Sequence, residues 1–298
     1  NKPSQEELAK HKAQQEQQAN KTAANTQNNT STVQPTDLGN FAYSTTLPSA
    51  KNEVTVLENK DLKITISNRG GQLKEVLLKE FKTYDSLPVY LIKDWNATFN
   101  LSFTTAQNQT LSSKDLYFEP MLSENNGNKV LSMKLKTSEN AYLEYVYTLP
   151  KEGYMLDVAV RSQGLSGVVN TSKPMNIDWK LQARRMEKSV TYENRYTQAT
   201  VQYDGDRINR LSQGGNDEQK EEKVNWVAYK QHLFTSVLIS DNPFAKGDFV
   251  SHNIAMSEGK DVKYTKNFLT SLPIQAKSGE LSESLHFYFG PSDYNVLK

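Results

Sequence analysis

From about residue 41 onward, the apolar residues of this chain recur at every second position. Leu62, Ile64 and Ile66 alternate with Lys63, Thr65 and Ser67. Leu143, Tyr145, Tyr147 and Leu149 line one side of a second segment, and Tyr154, Leu156, Val158 and Val160 line a third. Near the end, Phe234, Ser236 and Leu238 oppose Thr235, Val237 and Ile239, and Leu285, Phe287 and Phe289 repeat the pattern. Successive strand side chains point to opposite faces, so this period gives one face to a core and one to water. Turn signals punctuate the segments: Asn68-Arg69-Gly70-Gly71, Asn125-Asn126-Gly127-Asn128, Asp204-Gly205-Asp206 and Lys277-Ser278-Gly279-Glu280. Pro150-Lys151-Glu152-Gly153 has hairpin length. That rhythm predicts a sandwich or barrel and argues against βαβ units. About 250 residues at roughly 12 per strand and turn make close to twenty strands, and twisted sheets that large split into packed layers. The expected fold is all-β: one large twisted β-sandwich over residues 41–298. Two smaller sandwiches divided near Gly164–Lys173 are the second choice.

Two segments break the alternation. Residues 1–40 are rich in Gln, Asn, Lys, Ala and Thr and hold no aromatic residue. Such a segment buries too little apolar surface to offset its ordering entropy, so it reads as a disordered polar linker. Leu8 is the one large apolar residue in the Glu6–Gln18 run, too few for a coiled-coil seam. Farther on, residues 213–223 are strongly polar and read as an exposed loop. Val224, Val227, Tyr229 and Leu233 then give a rough 3.6-residue stripe, which predicts a short helix over about Glu218–His232.

Composition narrows the chemistry. Thirty-five basic and 34 acidic residues leave a net charge of +1, which gives no overall field for nucleic acid or anionic lipid. Without Cys there is no disulfide, thiolate catalysis or Cys-type zinc site. No window approaches the roughly 18 apolar residues a spanning helix needs. The first residue is Asn1, so the chain reads as a processed product or an excised piece.

No motif announces catalysis. His11, His232, His252 and His286 lack metal-ligand spacing, and Gly164-Leu165-Ser166-Gly167 lacks the spacing of a nucleophile elbow. Gly70-Gly71 sits between strands, where a tight turn with Asn68 and both glycines at positive φ explains it better than a phosphate cradle. The run Arg184-Arg185-Met186-Glu187-Lys188 is either a lipid-facing basic patch or a solvated strand end, and the second reading is favoured. Arg195, Arg207 and Arg210 extend that patch only if the strands align. Alternation puts Trp179 with Ile177 and Leu181 in the core. Trp226 reads as an anchor buried between helix and sheet, and Trp95, in a polar turn, as the exposed indole.

Several stretches resemble the extracytoplasmic, periplasmic domain of the bacterial membrane-protein insertase family YidC. They are Val224-Asn225-Trp226-Val227-Ala228-Tyr229-Lys230-Gln231-His232-Leu233-Phe234, the closing run from His286 to Lys298, Asp61–Val76 with its Gly-Gly, and Leu87-Pro88-Val89-Tyr90-Leu91-Ile92. The matching residues are Gly70, Gly71, Trp226, Lys230, Phe234, Gly290, Pro291 and Tyr294, for which the resemblance implies structural roles. It further implies a super-β-sandwich similar to galactose-mutarotase-like domains, with a short helix near the C-terminal third. It implies a periplasmic location, tethered to the inner membrane, beside the protein's own transmembrane domain. The implied function is non-enzymatic: an accessory role in inserting and folding membrane proteins, by contacts with Sec translocon components and nascent chains. No cofactor, metal or nucleic acid is expected, and the domain is expected to be monomeric. The alternative is a periplasmic carbohydrate-binding or mutarotase-like protein.

Overall fold

The alternating segments form strands, joined by the turns that Gly, Asn and Asp signal. The computed structural model describes residues 38–255 and 261–292. Most of the 1–40 linker and Tyr294 therefore lie outside the described residues. The chain clusters into two units, Asn1–Leu38 and Gly39–Lys298.

The second unit opens with a 3-10 turn, Gly39–Thr46, that buries Phe41. Four strands then make an antiparallel sheet in sequence order: β1 Val54–Glu58, β2 Leu62–Ser67, β3 Leu73–Lys82 and β4 Pro88–Ile92. The larger sheet holds β5 Ala97–Thr104, β6 Thr110–Ser112, β7 Glu119–Asn125, β8 Asn128–Lys136, β9 Tyr142–Leu149, β10 Met155–Gln163 and β11 Met175–Arg184. After helix α1, Val190–Tyr196, it continues with β12 Thr197–Tyr203, β13 Arg207–Arg210, β14 Asp217–Gln231, β15 Phe234–Asn253, β16 Tyr264–Ile274 and β17 Ser282–Pro291.

The larger sheet folds over on itself, and β15 is the hinge. Its first part, Phe234–Ser240, pairs with β17, which leads to β10, β9, β8 and β7. Its second part, Asp248–Asn253, pairs with β16, which leads to β11, β5 and β6. Ring contacts cross between the two arms. Trp179 of β11 meets Phe287 of β17 at 5.5 Å, and Phe99 of β5 meets Tyr145 of β9 at 5.8 Å. Those strands are not neighbours in hydrogen-bond order, so the contacts run face to face between layers. The smaller sheet packs on the β9 side of this core: Tyr147 Oη donates to the Gly71 carbonyl at 2.7 Å. The fold is thus the expected large β-sandwich. The Gly164–Lys173 loop joins β10 to β11, two strands of the larger sheet.

A connected set of aromatic rings runs through the core. Tyr229 of β14 is stacked between Trp179 at 4.1 Å and Phe268 at 4.7 Å, and its hydroxyl donates to the Trp179 carbonyl at 3.0 Å and accepts from Thr270 Oγ1 at 2.6 Å. Phe287 links this stack to Phe99 and Phe289. Each large ring removes some 150–250 Å² from water, so these side chains dominate the packing energy.

The helix lies elsewhere than expected. Residues 218–231 belong to β14, and the short helix is α1, begun by Ser189, whose side chain accepts the Tyr192 amide at 3.1 Å. Two forces override the 3.6-residue stripe. Val227, Tyr229 and Gln231 alternate into the core, and the polar stretch 217–222, expected as loop, satisfies its backbone by pairing with Lys246–Ser251 of β15.

Candidate functional site

The β14–β15 hairpin sorts its side chains by face. Val227, Tyr229 and Gln231 are buried in the core, and Trp226, Ala228 and Lys230 point the other way. The chain reverses at His232-Leu233, with Gln231 opposite Phe234 and His232 at φ 52°. That two-residue reversal sets the register that puts Trp226 opposite Ile239 and Ala228 opposite Val237. On the far side of β15, β17 contributes Tyr288 opposite Val237, and β10 contributes Met155 opposite Tyr288.

The result is an open groove of about 600 Å³ across β12, β14, β15, β17 and β10. Trp226, Ile239, Val237, Met155 and Tyr288 supply apolar walls, and Lys230 and Arg210 supply positive charge. Trp226 is only half-buried. The expectation of a buried anchor between helix and sheet is corrected, because the predicted helix is a strand whose alternate face is open. Trp179 is 1% exposed and Trp95 53% exposed, as their sequence contexts predict.

A second cluster adjoins the groove on the same sheet face. His286, opposite Ile239 and Asp157, has Nδ1 2.7 Å from Asp157 Oδ1 and Nε2 2.9 Å from Asp241 Oδ1. Partial burial works against the imidazolium, but hydrogen bonds to the two carboxylates outweigh it and raise the His286 pKa. Asp241 is correspondingly lowered by hydrogen bonds from Ser284 and His286. Both ring nitrogens are therefore engaged within the protein. Among the described residues no three His, Asp or Glu side chains converge as metal ligands, and no helix is long and apolar enough to cross a membrane.

The family-motif residues fall into two places. Trp226, Lys230, Phe234, Gly290 and Pro291 come together, because β15 runs between β14 and β17 and pairs Phe234 with Pro291 and Thr235 with Gly290. Phe234 packs edge-on against Phe81 at 5.2 Å. Gly290 is needed for close approach: a Cβ there would lie 2.8 Å from Tyr154 Cγ. Gly70 and Gly71 lie in the β2–β3 turn at φ 83° and 59°, where a Cβ on Gly71 would lie 2.9 Å from the Phe118 ring. Asn68, expected at positive φ, is instead a buried polar anchor whose Nδ2 donates to the Ser49 carbonyl at 3.1 Å. The basic residues also separate. Arg210 lines the groove, Arg207 pairs with Asp204 at 3.4 Å, and Arg184 pairs with Asp94 at 3.1 Å. Sequence reasoning missed the Asp157–His286–Asp241 cluster, since its members are brought together only by strand pairing.

Fold and groove together define a large antiparallel β-sandwich domain with one open sheet face that carries a tryptophan. Residues 54–298 match the family model described as the YidC periplasmic domain, and the chain belongs to that family. The membrane protein insertase YidC of Porphyromonas gingivalis is 34% identical over 251 residues, which cover 83% of this chain and 39% of that protein. Its namesake from Azobacteroides pseudotrichonymphae is 30% identical over 302 residues, covering 100% of this chain and 47% of the relative. The chain spans about two fifths to one half of the length of the curated relatives it matches. Among solved structures, a putative aldose 1-epimerase from Escherichia coli K12 overlays with a TM-score of 0.49 at 10% identity, covering 80% of this chain and 98% of that one. An active YidC insertase overlays at 0.40 and 12% identity, covering 83% of this chain and 41% of that one. Overlaps of this size bear on nothing further here.

Proposed function

We propose that this domain is a non-enzymatic accessory part of a membrane-protein insertase, working on the periplasmic side of the inner membrane to which the whole protein is tethered. In this reading the groove holds protein segments, those of Sec translocon subunits or of nascent membrane proteins, and the domain acts as a monomer. The observation that carries it is the composition of the Trp226 groove. An apolar floor with Lys230 and Arg210 at its margins suits a segment that is greasy on one side and carries carboxylates or carbonyls on the other. The imidazole beside the groove supports a non-catalytic role, since a general base needs a nitrogen free to take a substrate proton and both nitrogens of His286 face carboxylates.

The test is site-specific photo-crosslinking in the full-length protein. A benzophenone amino acid at Ala228, in the groove, should capture translocon subunits or stalled nascent membrane proteins. The same probe at Lys220, outside the groove, should not. Equal yields from both positions, or none from Ala228, would refute the groove as the contact site.

A further inference from the structure

Exposed apolar residues gather at one end of the sandwich. Five of the twelve exposed large apolar side chains among the described residues are Tyr84, Leu87, Tyr192, Tyr196 and Leu233. They come from three elements: the β3–β4 turn, α1, and the β14–β15 turn. A chain of contacts ties these together. The Tyr84 amide donates to the Met186 carbonyl at 3.1 Å, and the Arg185 guanidinium sits over the Tyr84 ring at 5.4 Å. Glu187 Oε1 lies 3.2 Å from His232 Nδ1, and the His232 ring packs against Tyr192 and Tyr196 at 5.3 and 5.2 Å. The backbone at Ser292 closes the set by donating to the Leu233 carbonyl at 2.7 Å, so the chain leaves the last strand at this same end.

Charge accompanies the exposed rim. Lys82, Lys188, Arg195 and Lys263 are exposed at this end, and Lys263 is tied to it through its carbonyl, which accepts the Arg185 amide at 2.8 Å. Asp85, Asp94 and Asp261 are the exposed acids; Asp94 is paired with Arg184 at 3.1 Å, and Glu187 is engaged by His232. Tyrosines, leucines and lysines interspersed on one rim match the interface of a bilayer, where amphipathic rings sit at headgroup depth and basic side chains meet anionic lipid.

We propose that this end of the domain rests on the surface of an anionic phospholipid bilayer, with Tyr84, Leu87 and Leu233 entering the headgroup layer. The groove is then held at a set height above the membrane by lipid contacts of the domain itself. None of the residues varied below lines the Trp226 groove, so the two proposals fail separately.

Vesicle co-sedimentation of the 298-residue chain tests it. The chain should sediment with vesicles rich in phosphatidylglycerol at low salt and much less with pure phosphatidylcholine. Changing Tyr84→Ser and Leu233→Ser together should weaken binding by about tenfold. Changing Lys82→Gln, Lys188→Gln and Lys263→Gln together should abolish the preference for phosphatidylglycerol. All these positions are exposed, and thermal melting monitored by circular dichroism confirms that each variant is folded. Met121→Ser with Leu122→Ser, on the exposed edge strand β7, should leave binding unchanged. Absence of binding by the unaltered chain, or equal loss in the β7 variant, would overturn the proposal. Binding that survives both rim variants would also overturn it.

Discussion

One strand, β14, shows two uses of the same alternation. Its inward residues, Val227 and Tyr229, are 0% and 1% exposed, and Tyr229 is stacked between two rings with its hydroxyl doubly bonded. Its outward residues, Trp226, Ala228 and Lys230, line a groove that is open among the described residues. Two large aromatic residues three positions apart thus differ in their duties. Tyr229 holds the two arms of the folded sheet together, and Trp226 stands on the wall of the open groove. Chemical type does not distinguish them; face does.

The largest expected effect falls on the inward face. Tyr229→Ala should destabilise by about 3–5 kcal/mol in denaturant unfolding, through the lost ring and the cavity between Trp179 and Phe268. Tyr229→Phe should cost about 1–2 kcal/mol, since it strands the Trp179 carbonyl and Thr270 hydroxyl. A Tyr229→Ala loss below about 1 kcal/mol would mean the stack is not structural.

Next comes Glu193, buried at 1% exposure beneath the 186–188 segment, whose carboxylate accepts the Met186 amide at 3.0 and 3.1 Å and the Glu187 amide at 3.2 Å. Burial pushes its pKa up to about 7, against the pull of those two amides. In the window between the ordinary carboxyl value and 7 the folded state holds a proton that the unfolded state has released. Stability should therefore fall as pH rises through that window and level off above it, by up to about 3 kcal/mol in total. Glu193→Gln should flatten that slope, and a pH series of melting curves checks it. An unchanged slope would place the titration elsewhere.

Gly71→Ala should cost about 2 kcal/mol, because a Cβ at positive φ is strained and would press on Phe118. Gly70→Ala strains the same turn against Lys114 and Gln72 side-chain or backbone atoms and should behave alike. The smallest effect on stability is expected at Trp226→Ala, about 1 kcal/mol, because the indole is half-buried and faces an open groove. A loss there as large as that of Tyr229→Ala would erase the distinction between the faces.

Much of the fold was legible in the sequence, for one reason: period-two alternation is a local signal, and it marks strands wherever it occurs. Leu143–Leu149, Leu156–Val160 and Leu285–Phe289 fall on β9, β10 and β17 and bury the predicted residues, whereas Tyr154 lies just before β10 and is half-buried. Strand β14 was misread because Val224, Val227 and Leu233 also fit a helical stripe, and its Glu and Lys residues favour helices in isolation. Tertiary pairing with β15 decided otherwise. The folding-over at β15 was not legible, because it depends on which strands pair with each half of a 20-residue strand. The same holds for the groove. Nothing local distinguishes Trp226 from Tyr229 until the register with Ile239 is known, and the exposed rim of Tyr84, Tyr192 and Leu233 is assembled from segments far apart in the chain.

The separation of faces is tested most directly by the cross-linking yield from a probe at Ala228 in the full-length protein, measured with Trp226 intact and with Trp226→Ala. The yield should drop several-fold while the melting temperature stays within a few degrees of the parent. An unchanged yield would show that the indole serves no partner and that the groove is only the outer side of a wall.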